Sequence, residues 1–341
     1  MMPSTSRGFA WLYAGALGLT LALVLLAFWL GKFPVSTGDI LAALAAKLFG
    51  VSVTLPVNAD AVIWQIRAPR IAAALLVGAG LAAAGSSYQG MFKNPLVSPD
   101  ILGVSSGAAL GAVLGIFLSK NIVMIQFFAF MGGLIAVGLV YAISSSVRGH
   151  DALLTLILTG VVIGTLLGSF IALLKYLADP YNQLPAITFW LMGSLAAIAP
   201  SDLAVAAPLI ALGLVPLYLL RWRINLLSLS DDEARALGVN VTGMRLIVIV
   251  AATLMTAASV AISGIIGWIG LLMPHIARML VGPDFAKAMP MSLLLGAAFM
   301  LGVDTLARTA ANVEIPPGVL TALIGTPFFV WILSTARRGW H

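Results

Sequence analysis

Apolar residues arrive in long blocks, broken by charges, prolines and glycine-rich turns. Divided at those breaks, the chain contains ten spans, at about 10–31, 70–91, 101–118, 122–144, 153–175, 202–220, 245–264, 267–281, 289–309 and 318–335. Each lies near the ~20 residues a helix needs to cross the hydrocarbon core of a bilayer. The stretch from Leu246 to Ala277 has no formally charged residue and is too long for one helix, so the chain is expected to fold back at Ser263-Gly264 and Gly267. Between spans, Ser36-Thr37-Gly38-Asp39 ahead of Ile40–Leu44 reads as the capped start of a short amphipathic helix. Residues 178–200, with Pro180, Pro185 and Pro200 beside Phe189 and Trp190, predict an interfacial helix lying across an entrance.

Composition turns this pattern into a membrane assignment. Of 341 residues, 61% are hydrophobic and only 9% charged, against about 25% charged in a soluble domain. A globule of this composition could not cover itself with polar groups. The net charge is +6, but the basic residues stand at the ends of apolar blocks, a pattern that anchors helices and does not suit nucleic acid. The absence of cysteine excludes disulfides, thiolate metal sites and a cysteine nucleophile. Arg7 and the run Phe9–Leu30 superficially resemble a secretion signal. The run is long enough to span, however, and has no clear cleavage site, so it is expected to remain as the first helix.

The positive residues also orient the chain. With the N-terminus inside, Arg7, Lys93, Arg148, Arg221, Arg223, Arg235, Arg245, Arg278, Lys287, Arg337 and Arg338 are cytoplasmic, and both termini lie on that side. Lys32, Lys47, Arg67, Arg70, Lys120, Lys175 and Arg308 fall outside, and Arg67, Arg70 and Arg308 need a separate reason to be there. Glycines at spacing four (Gly103, Gly107, Gly111 and Gly115, then Gly160, Gly164 and Gly168) predict close backbone packing. Flexibility beside a transport pathway is the functional alternative.

Intramembrane chemistry would require ionisable groups at depth, and few exist. Asp304 and Arg308 can pair one turn apart, and His275 follows Pro274. No metal cluster, nucleophile triad, proton relay or phosphate-binding loop is recognisable, so any ATP and its Mg²⁺ are expected on another polypeptide and no cofactor in this chain. The most informative polar segment runs from Leu227 to Val241. Asp231, Asp232 and Glu233 suit a helix N-terminus, and Gly238 suits its end. A short capped helix projecting from the bundle would be a handle for a soluble partner. A solvated loop and a Mg²⁺ site are the competing readings.

Four stretches resemble the permease subunits of type II ABC importers, the FecCD-type family that handles ferric siderophores, haem, cobalamin and, in some members, molybdate. They are Arg67-Ala-Pro-Arg70 with Gly78–Gly85; Gln89–Leu96, with Asn94-Pro95, continuing to Leu102–Ala108; Glu233–Gly238; and Gly267–Arg278, running through Asp304 and Arg308 to Glu314–Gly318 and Gly325–Phe329. Ala68 and Pro317 depart slightly from the family pattern. The resemblance implies an all-α fold of ten transmembrane helices in two five-helix inverted repeats, one permease domain over residues 1–341, in a bacterial or archaeal cytoplasmic membrane. It further implies a homodimer, two cytoplasmic ATP-binding cassette subunits and an extracytoplasmic substrate-binding protein. Asp231, Asp232, Glu233, Ala234, Arg235, Leu237 and Gly238 would form the helix that couples to the ATPase. Arg67, Arg70 and Arg308 would dock glutamates of the binding protein. Asn94, Pro95, Gly103, Gly107, Gly160, Gly164, Gly168, Pro274 and His275 are pathway or packing candidates.

On this reading the chain is a translocation subunit and not an enzyme, and it carries a metal chelate such as a ferric siderophore or haem. Cobalamin and molybdate or tungstate are the alternatives within the class. An ion-coupled carrier built from an inverted repeat would have to work through Asp304, Arg308 and His275. A membrane enzyme would have to work through Asp231-Asp232-Glu233.

Overall fold

The computed structural model describes residues 6–50, 56–147 and 152–336. Arg148, His150, Arg337, Arg338 and His341 lie outside the described residues. The ten apolar spans become helices: α1 (Ser6–Trp29), α3 (Ala68–Met91), α4 (Val104–Phe117), α5 (Ile122–Ser146), α6 (Ala152–Leu177), α8 (Pro200–Leu219), α10 (Val241–Ser263), α11 (Ile269–Val281), α12 (Phe285–Thr309) and α13 (Pro317–Ala336). The amphipathic segment forms α2 (Thr37–Phe49), the outer loop α7 (Gln183–Met192) and the polar segment α9 (Asp231–Ala236). The α2 start is capped as expected, with the Ser36 hydroxyl accepting the Asp39 N–H and Gly50 closing the helix in the left-handed region. The fold-back also falls where glycine allows it: α10 ends at Ser263, Gly264 has φ +67°, and α11 begins at Ile269.

Two expectations are corrected. The spans expected at 101–118 and 267–281 are shorter still, because α4 and α11 have 14 and 13 residues, or roughly 20 Å each at 1.5 Å per residue. They are shorter than the hydrocarbon core and rest against longer neighbours. The helix of the second span also begins well before residue 70. A helix starts at Val57, passes through a π-helical stretch at Val62–Arg67 and continues into α3. The Ala68 N–H bonds to the Ile63 carbonyl, five residues back. That wider register lets Pro69, with no N–H to give, follow without breaking the helix.

Lipid-facing and buried helices separate clearly. Leu158, Val161, Val162, Leu166 and Phe170 of α6 are exposed, as are Leu17, Leu21 and Leu25 of α1. Each such side chain left in water would forgo about 1.5–3 kcal/mol, so this surface requires lipid or a partner chain against it. By contrast α3, α10 and α12 are largely buried. In each half a mostly exposed helix precedes a buried one (α3 or α10), then a short one (α4 or α11), then a long one (α5 or α12). That recurrence fits two repeats of five, and an odd number of spans inverts the second. Backbones meet where side chains vanish: Gly78 of α3 lies on Gly296 of α12, and Gly107 of α4 on Gly132 of α5. A Cβ at any of these would intrude on the opposite carbonyl, which is the packing expected of small residues in a membrane bundle.

The antiparallel α3–α12 pair sets the axis of the molecule. Arg70 at the start of α3 meets Asp304 near the end of α12, while Phe285 at the start of α12 lies against Gly90 near the end of α3. Arg70 and Gln89 are 19 residues apart, roughly 28 Å along a helix. Two functional regions therefore occupy opposite ends of one rigid pair.

Candidate coupling helix and buried charge network

The first region is the α9 segment. The Ser230 hydroxyl accepts the Glu233 N–H at 3.3 Å, and the Glu233 carboxylate accepts the Ser230 N–H at 2.9 Å and its hydroxyl at 2.7 Å. This reciprocal capping box satisfies donors a helix start leaves free. Those same bonds hold the Glu233 carboxyl below its ordinary pKa. The other end is closed by a complete Schellman motif. The Gly238 N–H bonds to Arg235 O at 2.9 Å and the Val239 N–H to Ala234 O at 3.0 Å, with Gly238 at φ +80°. Ala234 and Val239 are buried beneath it, the apolar contact that accompanies such a cap.

A six-residue helix has little intrinsic stability, so α9 depends on these caps and on its anchors. Arg245 of α10 bonds Asp231 at 2.7 Å, and Lys93, just beyond α3, donates to the Leu229 carbonyl. The outward face carries Asp232, Glu233, Arg235 and Leu237, with Leu237 62% exposed. An exposed leucine ringed by charge on a doubly capped helix is a surface shaped for a protein partner. The metal-site alternative is not supported: Asp231 is held by Arg245 and Glu233 by Ser230, and no group of three His, Asp or Glu side chains gathers among the described residues.

The second region holds Arg67, Arg70 and Arg308. All three are buried, at 4–7% exposure, and the chain's own acceptors hold them. Arg70 Nε donates to both Asp304 oxygens at 3.0 and 3.1 Å, and its two terminal nitrogens reach the Glu314 oxygens at 3.1 and 3.0 Å. Arg308 Nε stands 3.9 Å from Asp304, so the pair expected along α12 exists but is secondary to Arg70. Arg308 also donates to Ala27 O, and Arg67 to Phe28 O and Phe33 O. Ala27 and Phe28 end α1, whose last turn has no basic residue of its own. Two guanidiniums from other helices therefore satisfy the carbonyls that a helix C-terminus leaves unpaired. Three guanidiniums against two carboxylates still leave this end positive, and Lys32 lines the same cavity of about 190 Å³.

The remaining candidates divide. Gly103 adopts φ +76° before α4, and Gly160 approaches the Ile101 carbonyl, so both serve turn or packing geometry. A Cβ on Gly164 would only touch Ser106 Oγ at 3.6 Å, and one on Gly168 would meet nothing within 4 Å. Asn94 turns the chain by accepting the Leu96 N–H at 2.9 Å, and Pro95 lines a cavity at the α9 end. Pro274 is buried within α11, and His275 beside it is half-buried with Nδ1 unpartnered. Sequence reasoning missed Glu314 as a partner of Arg70, and Arg245 and Ser230 as supports of α9. The Ser-x-x-Glu spacing was a legible signal for Ser230, whereas the others required the fold.

The FecCD transport family model matches residues 19–335. The molybdate import system permease protein MolB of Haemophilus influenzae is 42% identical over 325 residues, 94% of this chain and 96% of that one. The hemin transport system permease protein HmuU of Yersinia pestis is 40% identical over 284 residues, 81% and 84% of the two chains. A solved inward-facing structure of the metal-chelate type of ABC transporter superposes with a TM-score of 0.84 at 38% identity, over 95% of this chain and 98% of the other. With its helical bundle, its lipid-facing surface and this match along nearly its whole length, the chain is a multi-pass permease that belongs to the FecCD transport family.

Proposed function

We propose that two copies of this chain form the membrane pathway of an ATP-driven importer, with a cytoplasmic ATPase subunit docked on each α9 and an extracytoplasmic binding protein at the opposite end. The observation that carries this reading is α9 itself, a six-residue helix capped at both ends, braced by Arg245 and presenting an exposed leucine. Such a helix transmits displacement to α10 instead of fraying. ATP and Mg²⁺ belong to the partner. Coupling requires ATP and the loaded binding protein each to bind the two pathway states with different affinity. The binding-protein end keeps a net positive charge around Arg67, Arg70 and Arg308, which favours an acidic lobe. Docking there would act through the cluster's field, and through Glu314, whose side chain is 35% exposed, because the guanidiniums themselves are engaged.

The cargo is a metal chelate, with a ferric siderophore or haem the first to test. Molybdate is a second reading, favoured by the nearly full-length match to MolB. The test is uptake of labelled ferric chelate, haem, cobalamin and molybdate into proteoliposomes holding the chain with its ATPase, the binding protein being added outside. Uptake of one cargo that needs both ATP and binding protein is expected. Glu233→Ala or Gly238→Val should leave ATP hydrolysis uncoupled from uptake, with normal membrane insertion. Uptake by the chain alone on an ion gradient, or normal uptake by both variants, would overturn the proposal.

A further inference from the structure

At the α9 end, a cavity of about 270 Å³ lies between the end of α3, the end of α11, the start of α12 and the 221–228 segment. Its lining includes Arg278, Lys93, Ser86, Asn94, Asn225 and Ser228, and contains no carboxylate. Arg278 is the anomaly. One terminal nitrogen of its guanidinium is buried with no hydrogen-bond partner, and no acceptor for this side chain is found among the described residues. The fully buried arginines have such acceptors: Arg70 has two carboxylates, and Arg67 and Arg308 have α1 carbonyls, whereas Arg278 is half-buried and has none. An uncompensated guanidinium in such a place is costly, and the cost is removed by an anion that enters the cavity.

The surroundings define the anion. Lys93 is exposed at the rim, donating to the Leu229 carbonyl, and adds a second positive charge. The Asp284 carboxylate nearby is committed to the Ala286 N–H at 3.0 Å and to Lys287 at 3.5 Å, so it does not neutralise Arg278. The backbone donors at the start of α12 are also occupied: Phe285 N–H bonds Asn225 and Ala286 N–H bonds Asp284. Binding must therefore come from side chains. One further polar atom is orphaned here, Gln89 Oε1, an acceptor whose amide nitrogen is fully used by Val97, Gly270 and Leu271 carbonyls. A site that offers guanidinium, ammonium and hydroxyl donors together with one lone acceptor suits an oxyanion that still carries a proton. Chloride could not serve the acceptor. The volume holds several waters at ~30 Å³ each, which leaves room for a tetrahedral anion.

The geometry points to a phosphate-class oxyanion site in this cavity, with Arg278 as its principal ligand, Lys93 and Ser86 as supporting donors and Gln89 Oε1 accepting the anion's proton. The anion is either free in solution or the phosphomonoester headgroup of a lipid, which like free phosphate keeps a proton near neutral pH. Because Lys93 also holds the Leu229 carbonyl, an occupied site would tighten the base of α9.

The test uses the full chain in maltoside micelles and phosphate-free buffer. Melting midpoint and retention of labelled phosphate are measured against inorganic phosphate, against sodium chloride at equal ionic strength, and against added phosphatidic acid with diacylglycerol as the phosphate-free control. A saturable response to inorganic phosphate, weakened at least tenfold by Arg278→Gln and several-fold by Lys93→Gln, establishes a free-anion site. The same pattern with phosphatidic acid alone establishes a headgroup site. Lys93 lies at the rim and its replacement should fold normally, so the comparison survives if Arg278→Gln does not fold. A response that follows ionic strength, or is unchanged in Lys93→Gln and any folded Arg278 variant, overturns the proposal. So does the absence of a response to either phosphate source; loss of ATPase assembly in Arg278→Gln would then assign the guanidinium to a carboxylate of the protein partner.

Discussion

Replacing Arg70 with glutamine separates a buried charge network from an accessible docking residue. Arg70 supplies the near hydrogen bonds to Asp304, whose side chain is only 1% exposed, while Arg308 stays 3.9 Å away. Without Arg70 the Asp304 carboxylate remains desolvated beside one distant partner, whereas Glu314, 35% exposed, can turn to water. Removing one member of a buried pair costs about 3–5 kcal/mol, mostly as the penalty of the charge left behind. Glu314→Gln, at the wet edge of the same guanidinium, should cost only about 1 kcal/mol. Arg70→Gln combined with Asp304→Asn should recover a large part of the single-mutant loss, because no bare carboxylate is then buried. The measurement is equilibrium unfolding in mixed micelles, followed by helical circular dichroism, for the two single variants of the pair, the double variant and Glu314→Gln. If Arg70→Gln costs no more than Glu314→Gln, or if the double variant merely sums the singles, Arg70 does not neutralise Asp304 in the folded chain and the network argument fails.

The α9 caps predict a pH response of a fixed sign. Bonds from Ser230 lower the Glu233 pKa from its ordinary 4.5, so its contribution is present above that value and is lost as pH falls through the depressed folded value. Hydrogen-exchange protection of residues 230–238, corrected for intrinsic rates, should therefore fall in acid. Glu233→Gln should abolish that dependence, since glutamine still completes a capping box, and Ser230→Ala should weaken the cap by about 1 kcal/mol at neutral pH. The glycines should divide by neighbourhood: Gly107→Ala forces α4 from α5 and should cost about 1–3 kcal/mol or more. Gly168→Ala meets open space and should gain up to ~1 kcal/mol of helix propensity, both read from the same unfolding measurement.

Much of this molecule was legible in one dimension because lipid imposes a one-dimensional rule. A segment that crosses must be apolar and must satisfy its own backbone, so ten blocks of suitable composition mark ten helices whatever their neighbours. Local caps are equally short-range. Ser36 and Gly50 bound α2, Ser230 and Gly238 bound α9, and Gly264 turns α10 from α11, all by contacts within a few residues. The glycine stripe of α4 likewise announced close packing, although only tertiary structure named Gly132 as its counterpart. What only the fold could decide was who neutralises whom. Arg70 lies 234 residues from Asp304 and 244 from Glu314, and Arg308 lies 281 residues from the Ala27 carbonyl it caps. Sequence placed these arginines on the outer side and read them as docking residues, because a charge in a string carries no record of the acceptor that a distant helix will bring. Burial reverses the meaning of such a charge. In water a lone guanidinium is simply solvated, but inside a bundle it needs acceptors, and for Arg70 these are set by the antiparallel packing of α3 on α12.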